Sequence, residues 1–113
     1  MSQQWKAICK IADIPVLGAR VVQRAEKPDV AIFRNGNDEV FALLDRCPHK
    51  GGPLSQGIVF GQRVACPLHN WNIELQSGCA LAPDEGCTPK FNLKVDGGQI
   101  YLDAEELDSL AVC

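Results

Sequence analysis

The chain has 113 residues, 46% of them hydrophobic, enough for one compact core and too little for two. Its formal net charge is −3 with no block of Lys or Arg, which argues against a nucleic-acid partner. No apolar run reaches the ~18 residues a membrane helix needs, and the opening MSQQWKAICK lacks the charged-then-apolar order of a secretory leader; the expectation is a cytoplasmic chain with no membrane partner.

Taken in chain order, WKAICKI alternates in its first part and predicts a strand. RVVQR, DVAIFRN and EVFALLD follow as strands, and Asn35-Gly36 reads as the hairpin turn between the last two. From Arg46 to Gly61 no helical or strand period is visible. The segment carries Pro48, Gly51, Gly52, Pro53, Gly57 and Gly61 and reads as an ordered loop. QRVAC and WNIELQ are the next strands, with Ser77-Gly78 turning the chain after the second. APDEGCTP is a further loop, and KFNLKVDGGQIYLD reads as a hairpin closed by Asp96-Gly97-Gly98. In DAEELDSLAV, Asp103 with Glu106 three residues on resembles a capping box and predicts a short C-terminal helix. Short strands with frequent turns predict an all-β fold, a small antiparallel sandwich or barrel forming a single domain over residues 1–113.

Six cysteines would suit a disulfide framework in a secreted chain; without a leader, metal binding or burial is expected instead. Cys9 lies in an apolar segment and reads as core, and Cys113 at the last position reads as a frayed thiol. Cys79 and Cys87 are separated by ALAPDEG and are close enough in sequence to approach each other; sequence alone does not show a disulfide and none is favoured, with Cys87 read as a small buried residue.

The remaining cysteines sit beside the only two histidines. Cys47-x-His49 is followed, after sixteen residues, by Cys66-x-x-His69. Thiolate and imidazole are ligands for iron and zinc. Pro48 and Pro67 each follow a cysteine and restrict its loop, while Gly51 and Gly52 permit backbone shapes that wrap an inorganic group. A structural zinc pairs like ligands, C-x2–4-C with H-x3–5-H. Here each loop offers one Cys and one His, which suits a [2Fe–2S] cluster with two cysteines on one iron and two histidines on the other. A structural zinc is the competing reading.

This pattern resembles the Rieske signature. The resemblance implies a small β-structure with an inserted cluster-binding subdomain, its two loops at about 46–57 and 65–71. It also implies one [2Fe–2S] cluster per chain, with Cys47 and Cys66 on the inner iron and His49 and His69 on the outer one. WKAICKIADIP, CPHKGGPLSQGIV, CPLHNW and APDEGCT together resemble the small subunit of bacterial NAD(P)H-dependent assimilatory nitrite reductase, from Trp5 to about Leu102. That likeness implies a large partner subunit carrying flavin, an iron–sulfur cluster and sirohaem, which reduces nitrite to ammonium. A Rieske ferredoxin serving an aromatic-ring dioxygenase is the alternative, with similar size and ligand spacing.

No G-x-G-x-x-G follows a strand, so a nicotinamide site of that type is not expected. Gly52 and Gly57 have P-loop spacing, but Ile58 and Val59 stand where Lys and Ser/Thr are required. Asp84 and Glu85 lack a further acid–base group and are not read as catalytic. An oxygenase iron site would need further histidines, and both are already used. Any catalysis therefore needs a partner, and the expected role is electron transfer. Trp71, two residues past His69, is placed either to shield the cluster or to join the core; Lys50 reads as a solvated loop lysine.

By resemblance, the respiratory Rieske type carries an extra Cys in each loop where this chain has Gly52 and Leu68, and a Ser that donates to sulfur. Fewer donors near the sulfurs stabilise the reduced cluster less. The midpoint is therefore expected at the low end of the Rieske range, about −150 mV or somewhat above. An EPR-monitored redox titration measures it, and a midpoint well above zero refutes the reading.

Overall fold

Val30, Ala31, Ile32 and Phe33 are all fully buried. Successive strand residues point to opposite faces, so such a run requires cover on both sides. The computed structural model describes residues 5–24, 27–46, 53–67, 71–81 and 86–104. Its strands are β1 (Trp5–Lys10), β2 (Gly18–Arg24), β3 (Lys27–Arg34), β4 (Val40–Leu44), β5 (Ile58–Phe60), β6 (Arg63–Ala65), β7 (Asn72–Glu74), β8 (Lys90–Phe91), β9 (Leu93–Asp96) and β10 (Gln99–Asp103). They form antiparallel sheets of order β1-β10-β9, β2-β3-β4-β8 and β5-β6-β7. The fold is all-β, as expected, with single 3-10 turns at Ile11–Asp13 and Leu54–Gln56.

The middle sheet serves two cores. Val30, Ile32, Ala42 and Leu44 turn toward β1 and β10, where Cys9, Ile100 and Leu102 complete the first core with Ile14 and Phe91. Ala31, Phe33 and Leu43 turn the other way, onto Leu54, Val59, Val64, Cys66, Ile73 and Leu75. Burial of a side chain such as Phe33 contributes about 1.5–3 kcal/mol. The second core is the platform on which the β5-β6-β7 sheet rests. Cys9 is core as expected, and desolvation pushes its thiol up, with Asp13 adding and Arg20 opposing.

The Asp96-Gly97-Gly98 hairpin forms as expected, with Gly97 and Gly98 at φ 58° and 81° and Gln99 opposite Asp96. The β3–β4 connection differs from a two-residue Asn-Gly turn. It spans residues 35–39, and its positive φ, 62°, falls on Asp38. Buried Asn35 organises it: its Oδ1 accepts from the backbone N–H groups of Asn37 and Glu39, both at 2.9 Å. Arg34 donates to the Ile14 carbonyl at 2.8 Å and to Asp38 Oδ1 at 2.8 Å, tying this turn to the β1–β2 connection.

Two further expectations are corrected. Arg46 to Gly61 is not all loop, because Ile58–Phe60 forms β5. Three residues between glycines are too short to show a period. Cys79 and Cys87 are joined by a disulfide, and Cys87 is exposed, not buried. The turn at Ser77-Gly78 sets Ala80 opposite Ile73, and Cys79 and Cys87 meet as partners in a second antiparallel bridge. Thr88 N–H donates to the Gly78 carbonyl and Ala80 N–H to that of Gly86, each at 2.8 Å. The expected C-terminal helix lies outside the described residues beyond Ala104.

Gly78 is buried with φ 79°, and a Cβ there would strike the Thr88 carbonyl and come within 3.2 Å of Leu43 Cδ2. Gly78→Ala is expected to lower stability by about 2 kcal/mol. Urea unfolding checks this, and an unchanged midpoint contradicts it.

Candidate metal centre

Of the four expected ligands, Cys66 lies among the described residues, while Cys47, His49 and His69 lie outside them. Lys50, Asp84 and Glu85 also lie outside. Cys66 directly follows β6, fully buried within the second core. Its N–H donates to the Trp71 carbonyl at 2.7 Å, closing the segment that contains His69. Trp71 is half-buried and packs on the second core, as one of its two readings expects.

The segment containing Cys47 and His49 is held at both ends. Asp45 N–H donates to the Asp29 carbonyl at 2.8 Å, fixing Asp45 beside the end of β4. Its Oδ1 accepts from the Ser55 N–H at 2.7 Å and its Oδ2 from the Ser55 hydroxyl at 2.8 Å. Leu54, fully buried, anchors the same 3-10 turn in the second core. A carboxylate on an N–H and a hydroxyl makes charge-assisted bonds, stronger than neutral ones. Sequence reading did not select Asp45 or Ser55. The available signal was an acid and a hydroxyl flanking the Gly/Pro-rich segment.

Gly57 joins the two segments. A Cβ there would overlap the Ala65 carbonyl and lie 3.0 Å from Val64 Cγ2, so only glycine lets this backbone approach β6. Ile58 then pairs with Ala65, the residue before Cys66. The end of the first segment and the start of the second are therefore adjacent.

Three antiparallel sheets, with a Cys/His pair in each of two sequence segments, have the make-up of a small metal protein of the β class. The model of the Rieske [2Fe-2S] domain matches residues 4–92, and the chain belongs to that family. With the family comes its cofactor, a Rieske-type [2Fe–2S] cluster. A buried thiol at Cys66 fits a thiolate-bound iron kept from solvent, and the donor set of two Cys and two His is the one such a cluster takes.

The 3-phenylpropionate/cinnamic acid dioxygenase ferredoxin subunit of Photorhabdus laumondii is 34% identical, over 94% of this chain and 98% of that protein. The solved complex of oxygenase and ferredoxin in carbazole 1,9a-dioxygenase includes a chain with TM-score 0.78 and 25% identity, covering 90% of this chain and 94% of that one. A solved protein described as the small subunit of an NADPH nitrite reductase has TM-score 0.75 and 28% identity, covering 88% of this chain and 97% of that one. The chain spans 20% of a longer relative, Protein TIC 55, chloroplastic, of Pisum sativum. No helix among the described residues is long and apolar enough to cross a membrane.

Asp45→Ala leaves Ser55 N–H without its acceptor and is expected to speed iron loss to a chelator several-fold, with stability lowered by about 2 kcal/mol. Asp38→Ala, which removes the ion pair at the β3–β4 turn, serves as the control. Equal iron loss in the two variants contradicts a role for Asp45 at the loop base.

Proposed function

We propose that this chain is the Rieske-type small subunit of an assimilatory NAD(P)H-dependent nitrite reductase, supporting electron transfer for reduction of nitrite to ammonium. It acts as one domain, and its partner is a large subunit carrying flavin and sirohaem. Cys47 and Cys66 hold the inner iron through thiolate, and His49 and His69 hold the outer iron through imidazole. When bound, the cluster supplies a one-electron store. The protein's part is to hold the two ligand segments together and keep the Cys66 side dry.

The observation that carries this reading is HKGGPLSQG and APDEGCT, the segments most like that small-subunit family. The 28% identity to the protein described as an NADPH nitrite reductase small subunit supports it. A second reading, a ferredoxin component of an aromatic-ring dioxygenase, is favoured by the 34% identity to the Photorhabdus ferredoxin subunit.

Purification of the tagged chain from its own cells, followed by absorption spectroscopy for sirohaem in the co-purifying protein, separates the two readings. The expected result is a sirohaem-bearing partner, and loss of growth on nitrite when the chain is deleted. Stimulation of a ring-hydroxylating oxygenase, with growth on nitrite unaffected, overturns the first reading in favour of the second. A colourless protein with stoichiometric zinc overturns both.

A further inference from the structure

The Cys79–Cys87 disulfide lies outside the proposed ligand set and has no part in holding a cluster. Two features bear on its chemistry. Cys87 is exposed while Cys79 is half-buried, so the bond is open to attack from the Cys87 side. The backbone around it is also paired without its help. Gly78 N–H donates to the Glu74 carbonyl at 2.7 Å, Glu74 N–H to that of Cys79 at 2.9 Å, and Leu81 N–H to that of Asn72 at 2.9 Å. With the Ala80–Gly86 and Thr88–Gly78 bonds at 2.8 Å, these hold residues 79 and 87 opposite each other when the sulfurs part.

We propose that Cys79–Cys87 is a reversible thiol–disulfide exchange site whose reductant is a dithiol. A thiolate of the dithiol attacks Cys87 Sγ. A mixed disulfide forms there, the Cys79–Cys87 bond breaks, and Cys79 leaves as a thiolate that takes up a proton. The dithiol's second thiolate then attacks its own sulfur in the mixed disulfide. Cys87 is released and protonated, and the reductant closes to its cyclic disulfide. Two electrons and two protons pass to the chain, and exchange with an oxidised dithiol runs the steps backward.

The partner class follows from geometry. A monothiol reaches the same mixed disulfide, but Cys79 stays in register beside Cys87 and expels it before a second monothiol arrives. An intramolecular thiol has a high effective concentration, and only a reductant carrying its own second thiol competes. Ser77 is placed to receive the reduced form: its Oγ accepts from Cys79 N–H at 3.2 Å, and its carbonyl oxygen lies 3.8 Å from Cys79 Sγ, within reach of a thiol S–H.

The test uses the purified full chain without denaturant. It is treated with dithiothreitol or glutathione at equal thiol concentration, quenched in acid, alkylated and peptide-mapped at Cys79 and Cys87. Dithiothreitol is expected to open the pair at least about tenfold faster than glutathione, with the far-ultraviolet circular dichroism unchanged. Oxidised dithiothreitol should close it again. In Cys79→Ser, oxidised glutathione should leave a stable adduct on Cys87, whereas Cys87→Ser should yield far less on the half-buried Cys79. Opening only in denaturant identifies a purely structural cross-link and overturns the proposal. Equal opening by both reductants overturns the dithiol requirement, and two freely alkylated thiols after treatment with oxidised dithiothreitol overturn the disulfide itself. None of these readouts depends on bound iron, so failure here leaves the cluster reading intact.

Discussion

The contact between Gly57 and the Ala65 carbonyl sets how near the two Cys/His segments come to each other. A side chain at residue 57 would prise β5 away from β6, and with it the start of the first segment's return path from the residue preceding Cys66. Everything proposed about a shared inorganic centre assumes that these two stretches of chain are neighbours. That proximity is permitted by a missing Cβ and held by the backbone pairing of β5 with β6.

Around that contact, each excursion of the chain is closed at its base by a different chemistry. Asp45 grips Ser55 through two charge-assisted bonds. Cys66 and Trp71 are closed by one backbone bond. Cys79 and Cys87 are closed covalently. All three sit on one platform, the face of the middle sheet bearing Ala31, Phe33 and Leu43. The opposite face of the same strands is spent on β1 and β10. The division explains why β3 is apolar at four consecutive positions: one strand is shared between two cores and has no face left for water.

The Cys/His pattern that marks the family was legible because it is local: two Cys/His pairs in Pro- and Gly-rich stretches need no three-dimensional information to be noticed. The strands β1, β3, β4 and β10 were legible from runs long enough to show a pattern. β5 was not, since Ile58, Val59 and Phe60 alone carry no period. The Asp45–Ser55 grip joins residues ten apart with no regular element between them, and neither type announces a partner. The disulfide was not legible, because compartment does not decide a question of geometry. Residues 79 and 87 face each other as antiparallel bridge partners, which depends on the backbone and not on the surroundings. Asn35-Gly36 marked the place of the hairpin, and the buried Asn35 side chain organises a connection longer than two residues there.

The pairing of β1 with β10 matches Trp5 to Asp103, nearly the whole length of the chain. On the ribosome, the hairpins β3–β4, β5–β6 and β6–β7 each lie within short reach and can form as they emerge, whereas the first strand must wait for the last. Until β10 has emerged, the apolar side of the middle sheet that β1 and β10 finally cover stays bare. The nascent polypeptide therefore depends longest on whatever shelters that surface, while the β5-β6-β7 sheet is free to assemble earlier.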